Sequence, residues 1–267
     1  GAGQPFFEGV TARRFASPEY STAELATAAA AKLLDELELD ANSIDLIVCA
    51  TQIDDNYTPG TAAAVQHGIG ANAASFININ NGCCSWVSAI RTGAAFVDSG
   101  SCERVLVVTA TNFVSKLTRF QEDPASRVLG DGASATLLIA DDEPTILGSY
   151  EKSIGENWAN LSVGPIHPAT GDETTWSAVV SRFGVEFGES MLFELWSTAM
   201  KIMPSAFESL LTQARLTADD ISLFLTHQPN RRMIDEWRTR CAVPPERSFD
   251  CLDDCGNMFQ SNLPVSL

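Results

Sequence analysis

Apolar residues in this chain gather into short continuous runs set between segments of helical period. Ser21-Thr22-Ala23-Glu24 has the form of a capping box and predicts a helix to about Leu37. The run IDLIVCA at 44–50 predicts a buried strand, as do RVLVVTA at 104–110 and SATLLIA at 134–140. Pro59 suits the first turn of a helix reaching about His67, residues 75–80 read as extended, and 85–99 read as a helix. Residues 155–188 contain Gly, Pro and Trp with little period and read as an irregular insertion. A helix is expected from about Glu189 to Ala214, a strand over 221–226, and a last helix over 230–241.

The pattern repeats at an offset of 177 residues. Leu33-Leu34 corresponds to Leu210-Leu211, and Leu39, Ala41, Ile44 and Leu46 correspond to Leu216, Ala218, Ile221 and Leu223. Both copies read helix, acidic turn, buried strand. Two such copies predict a duplicated α/β fold of pseudo-two-fold related halves, residues 1–140 and 141–267, with helices covering the sheets. The second copy's strand ends in Thr226-His227-Gln228, at the kind of strand end where α/β proteins bind ligands.

Three local features carry candidate chemistry. Cys83 ends the extended run and precedes the helix at 85–99, where backbone N–H groups and the helix dipole are expected to favour a thiolate nucleophile; a buried core cysteine is the alternative. His227 sits at a strand-to-helix junction, with Pro229 ending the strand, and reads equally as an acid/base or as a structural residue. Asn257 follows Gly256 in a turn, and an Asn beside a His can donate to an oxyanion. Gly130-Asp131-Gly132 reads as a hairpin-type turn that fixes the start of the following strand. Of the other histidines, His67 lies in an amphipathic helical stretch and reads as structural, and His167 falls in the irregular insertion.

The net charge of −17 disfavours general nucleic-acid binding. Against that background Arg231, Arg232, Arg238, Arg240 and Arg247 crowd together, either as a solvated helix face or as a dock for an anionic carrier. Seven irregularly spaced cysteines point to a reducing compartment, hence the cytoplasm, and to no disulfide framework. Cys251 and Cys255 lack a second ligand pair, so no metal site is expected. No run of residues is long enough to span a membrane, and Gly1-Ala2-Gly3-Gln4 lacks the form of a secretory leader.

Taken together and in order, the strand-Cys-helix run at Cys83, the Gly130-Asp131-Gly132-Ala133 turn, and His227-Gln228-Pro229-Asn230 followed by Gly256-Asn257 resemble the thiolase superfamily, specifically its beta-ketoacyl-acyl-carrier-protein synthase III group. The resemblance implies a layered α/β/α/β/α thiolase-like fold, incomplete here at both termini. It implies that Cys83 accepts an acyl group as a thioester. His227 and Asn257 would polarise a malonyl thioester for decarboxylative Claisen condensation. Arg232, assisted by Arg231, would contact phosphopantetheine or coenzyme A. No permanently bound cofactor is implied: acyl-CoA or a carrier-borne acyl group is the substrate, acyl carrier protein the partner, and a homodimer the assembly. The same residues also fit an acyltransferase that esterifies or amidates an alcohol or amine; a non-catalytic partner subunit is a third reading, which the retained Cys83 and His227 disfavour. A papain-like Cys-His-Asn hydrolase fits the duplicated strands poorly. The pattern departs from the group at Cys84, Ser85 and Trp86, where small residues usually follow the Cys, and at Met258 and Phe259, where small hydroxyl-bearing residues usually follow the Gly-Asn.

Overall fold

The computed structural model describes residues 10–267 except Tyr57 and residues 113–126, 142–144, 158–160, 166–182 and 188–190; His167 and most of the insertion expected at 155–188 lie outside the described residues. Four strands form the main sheet: β1 (Leu46–Thr51), β2 (Ser75–Ile79), β3 (Arg104–Thr111) and β4 (Gly132–Ile139), in the order β2-β1-β3-β4. β1 runs parallel to β2 and β3, while β4 runs antiparallel to β3. The apolar runs are continuous because both faces of β1 and β3 are covered. Ile47, Cys49, Leu106 and Val108 pack with Ala26, Ala30 and Leu34 of α1 (Thr22–Glu36) and with Ala62 and Val65 of α2 (Thr61–Ile69). Leu46, Val48, Ala50, Val105 and Val107 face Ala89 of α3 (Ser85–Asp98). Each Leu, Ile or Val so buried contributes about 1.5–3 kcal/mol.

The capping box at α1 is formed. Ser21 Oγ accepts from the Glu24 amide at 3.0 Å, and the Ser21 amide donates to Glu24 Oε2 at 2.7 Å. The expected start of α2 is displaced: Gly60 is its N-cap and Pro59 lies before it. The glycine takes φ +78 there, a turn that Pro59 cannot make because its ring fixes φ near −65°.

The second half supplies β5 (Leu161–Pro165), paired antiparallel with β6 (Phe183–Phe187), then α4 (Met191–Ala214), α5 (Arg231–Arg240), α6 (Leu252–Cys255) and α7 (Asn262–Ser266). The 155–188 segment is therefore not wholly irregular. Phe183-Gly184-Val185-Glu186-Phe187 does alternate at period two, but five residues are too few to stand out between aperiodic neighbours. The 221–226 strand is corrected as well. That stretch forms a single bridge, Phe224 to Ser248, and Leu223 is 50% exposed, because among the described residues no ladder of neighbours flanks it. Met203 and Phe207 of α4 pack instead on Phe224, Cys241 and Val243.

The duplication is visible hydrogen bond by hydrogen bond. After α1, Glu38 takes φ +52, and the Leu39 amide donates to Leu34; after α4, Arg215 takes φ +57, and the Leu216 amide donates to Leu211. A 3-10 turn follows in each copy, Ala41–Ser43 and Ala218–Asp220, closed by Ile44 onto Ala41 and by Ile221 onto Ala218. Every pair is offset by 177 residues, so the repeat read from leucine spacing extends to backbone conformation.

The Gly130-Asp131-Gly132 motif is not a hairpin turn. Neither glycine has positive φ, and β3 is joined to β4 by the long segment 112–131. The glycines are required by space. A Cβ at Gly130 would lie 2.1 Å from the carbonyl oxygen of Cys255, and one at Gly132 would lie 2.4 Å from Met258 Sδ. Asp131 accepts the Ala16 amide at 2.9 Å and donates its own amide to Arg14 at 2.7 Å, a structural role. Gly130→Ala is expected to lower unfolding free energy by about 1–3 kcal/mol in a urea titration. An unchanged midpoint would show that the close approach is dispensable.

Candidate active site

The parallel strands β1, β2 and β3 end on one edge of the sheet; Cys83 follows β2, and the segment after Asn257 bonds to the end of β3. β2 leads through Asn80, Asn81 and Gly82 to Cys83. Gly82 takes φ +55, a backbone that L side chains rarely adopt, and this turns the chain from strand into α3. The turn is pinned by Ser85, whose hydroxyl donates to the Gly82 carbonyl at 2.7 Å and accepts the Asn81 amide at 2.8 Å.

Asn257 reaches the same edge from the second half. Its amide donates to the Val128 carbonyl at 2.6 Å, and its carbonyl accepts from the Gly130 amide at 3.0 Å. Beyond it, the Thr111 hydroxyl donates to the Met258 carbonyl, Gln260 Nε2 donates to the Ala110 carbonyl, and the Ser261 and Thr109 hydroxyls pair, all at the end of β3. The loop is clipped from behind by Asn262, which accepts the Met258 amide at 3.0 Å and donates to the Gly256 carbonyl at 3.1 Å. Gln228, next to His227, is fully buried; it donates to Ser266 at 2.7 Å and accepts the Cys251 amide at 3.1 Å. Sequence reading missed Asn262 and Gln228, since nothing in spacing marks an amide as a clip rather than a surface residue.

Each of the three candidates is linked to Phe259 or to its cluster. Cys83 packs against the cluster of Val128, Leu129 and Phe259, with Ile53 and Val10 beside it. Asn257 Oδ1 accepts the Phe259 amide at 2.9 Å, which orients the side chain and leaves Nδ2 as its donor. The backbone of Phe259 lies close enough to His227 to favour the charged ring, although Nδ1 makes no hydrogen bond of normal geometry among the described residues.

Burial dominates the electrostatics. Desolvation pushes the Cys83 thiol up to about 12, Cys84 beside it acts in the same direction, and Cys83's own amide opposes them. Burial thus works against the helix-stabilised thiolate expected from sequence and favours the thiol. Cys83 is half-buried against an apolar cluster, and the amides of Cys84 and Ser85 already donate to the Asn81 and Gly82 carbonyls, which removes two of the helix-terminal donors. Burial also lowers His227 to about 4, so the ring is neutral near pH 7.

The His227 shift has a measurable consequence. Between pH 6.5 and about 4 the unfolded ring binds a proton that the folded ring refuses, so folding stability is complete above this window and falls as pH drops through it. Urea midpoints of the wild-type chain are expected to decline more steeply over that range than those of His227→Gln. Equal slopes would place the ring in water.

The arginine cluster is largely engaged. Arg231 forms a two-pronged pair with Asp250 at 2.7 and 2.8 Å and also meets Asp253 at 3.2 Å; its hydrogen bond to Asp250, ahead of any burial, holds the guanidinium above its ordinary range. Arg238 pairs with Asp235, Arg240 with Glu236, and Arg247 donates to the Asp219 and Ile221 carbonyls. Arg232 is exposed and stacks on Trp196 at 4.5 Å. Among the described residues no group of His, Cys, Asp and Glu could hold a metal ion, and no helix is long and apolar enough to cross a membrane.

Comparison with known proteins converges on one family. The model of 3-oxoacyl-(acyl-carrier-protein) synthase III matches residues 77–155, and the model of that enzyme's C-terminal part matches residues 211–267. The beta-ketoacyl-(acyl-carrier-protein) synthase III of Bradyrhizobium diazoefficiens is 31% identical over 268 residues, a match covering 97% of this chain and 78% of that protein. The crystal structure of the corresponding synthase from Thermus thermophilus superposes with a TM-score of 0.79 at 27% identity, over 95% of this chain and 76% of the other. That of the priming beta-ketosynthase of a polyketide biosynthetic pathway gives 0.81 at 25% identity, over 98% and 77%.

Proposed function

This chain belongs to the 3-oxoacyl-(acyl-carrier-protein) synthase III family of the thiolase superfamily, and we propose that it is a condensing transferase working through a thioester on Cys83. Cys83 Sγ attacks the carbonyl of an acyl thioester carried by coenzyme A or an acyl carrier protein; the donor thiol leaves with the proton that the cysteine gives up. A malonyl thioester then loses carbon dioxide. Asn257 Nδ2 and the neutral imidazole of His227 donate to the enolate oxygen, and the enolate carbon attacks the acyl carbonyl and releases Cys83.

The reading is supported by separate links of Cys83, His227 and Asn257 to Phe259 or its cluster: apolar packing, a backbone effect on the imidazole, and a hydrogen bond. A neutral ring and a free amide donor suit stabilisation of an anion better than proton abstraction. In the docking of a carrier or coenzyme A, Arg232 is the contact that this geometry favours. Arg231 serves mainly to hold α5 against the segment of Asp250 and Asp253. Homodimerisation belongs to the same reading and is supported by β2, an outer strand of the described sheet with Phe76 40% exposed.

The test is incubation with an acyl thioester and malonyl carrier protein, read by intact-protein mass and released carbon dioxide. An adduct on Cys83 followed by carbon dioxide and a 3-oxoacyl product supports condensation. An adduct that moves to an alcohol or amine without carbon dioxide would replace this reading with acyl transfer to such an acceptor.

A further inference from the structure

We propose that Glu151 is a positioning residue for acyl transfer, fixing the strand-to-helix turn that carries Cys83. The inference rests on the acyl-transfer reading above and adds a residue to it. Glu151 lies between β4 and the 3-10 turn at Gly155–Asn157. Three residues earlier its segment passes α4, where a Cβ at Gly148 would stand 3.4 Å from Leu210. The carboxylate reaches across to the start of α3. Its Oε1 accepts the Ser88 hydroxyl at 2.8 Å and Asn81 Nδ2 at 3.2 Å, and its Oε2 pairs with Arg91.

Asn81 carries this network to the nucleophile, two residues before Cys83. Its amide donates to the Ser85 hydroxyl at 2.8 Å, its carbonyl accepts the Cys84 amide at 3.1 Å, and Nδ2 also donates to the Ser88 hydroxyl at 2.9 Å. Gly82, between Asn81 and Cys83, takes φ +55 and has no side chain to anchor it. The turn is thus held on one side by Asn81 and on the other by α3, and Glu151 joins the two from outside. Without an acceptor at 151 the Ser88 hydroxyl is free to rotate, and Asn81 loses one of its two side-chain holds. A small displacement of a reacting atom is enough to slow its attack. Glu151 acts on the sulfur through Asn81 and Ser88, not by touching the substrate.

The experiment measures acylation of Cys83 against acetyl-CoA concentration, by peptide mass, in the wild-type chain, Glu151→Ala and Glu151→Gln, with urea midpoints taken alongside. Glutamine keeps an oxygen acceptor for Ser88 and Asn81 and gives up the Arg91 ion pair, which is solvent-exposed and weak. Glu151→Ala is expected to lower the saturating rate by about 10- to 100-fold while the half-saturating concentration stays within about twofold. Glu151→Gln is expected to restore most of that rate. Ser88→Ala breaks the same link from α3 and carries the test if Glu151→Ala does not fold. A shifted urea midpoint with an unchanged saturating rate would make Glu151 a stabilising residue only and overturn the proposal. A glutamine variant as slow as the alanine one overturns it too, since the effect would then belong to the Arg91 pair. If the wild-type chain itself gains no acyl mass at Cys83, the acyl-transfer reading fails, and this inference falls with it.

Discussion

Cys83→Ala is expected to lose thioester formation entirely and to reduce condensation by about 10,000-fold or more, the scale on which removal of a covalent nucleophile acts. Intact-protein mass after incubation with an acyl thioester checks the first effect, and product formation checks the second. The neighbouring thiol makes the comparison informative. Cys84 is the exposed residue of the pair, its thiol raised by partial burial and by Glu151, and a chemically indiscriminate acylation would label it first. Cys84→Ala should therefore retain the adduct that Cys83→Ala loses. The reverse pattern would move the nucleophile by one residue and sink the assignment. Simple alkylation is a poor substitute for this test. Burial raises the Cys83 thiol, so slow reaction with iodoacetamide is expected of a partly buried nucleophile and a core cysteine alike.

How much of this was legible in the sequence depended on whether the determining interaction was local. The capping box at Ser21 and the buried runs of β1 and β3 were legible because helix caps and doubly covered strands leave their pattern in adjacent residues. The duplication was legible from leucine spacing because its physical basis, a helix ending in a left-handed residue and a 3-10 turn, recurs at a fixed offset. Gly130 and Gly132 were misread as turn formers because their cause lies across the chain, at Cys255 and Met258. The upward direction at Cys83 was hidden for the same reason. A helix start is visible in sequence, but the apolar shell drawn from Val128, Leu129 and Phe259 is not. Arg231 resembled a free cation until Asp250, nineteen residues away, was found against it.

Asn257 is the residue whose replacement should divide the reaction in two. Asn257→Ala is expected to slow malonyl decarboxylation by about 100- to 1,000-fold, the effect of deleting one oxyanion donor, while acylation of Cys83 continues. The alanine variant alone is ambiguous, because Asn257 Oδ1 also holds the amide of Phe259, and losing that bond loosens a backbone already at φ +53. Asn257→Asp separates the two roles. A carboxylate keeps the acceptor that fixes Phe259, yet it replaces the Nδ2 donor with an oxygen that repels the developing enolate. If donation to the enolate is what matters, Asp is as damaging as Ala, and carbon dioxide release falls in both variants while the mass of the acylated intermediate accumulates. If Asp restores turnover, the amide serves the loop rather than the reaction, and His227 is left as the only donor to the enolate. The buried Asn262 clip makes the comparison interpretable, since it holds Gly256 and Met258 on either side of position 257 whichever side chain stands between them.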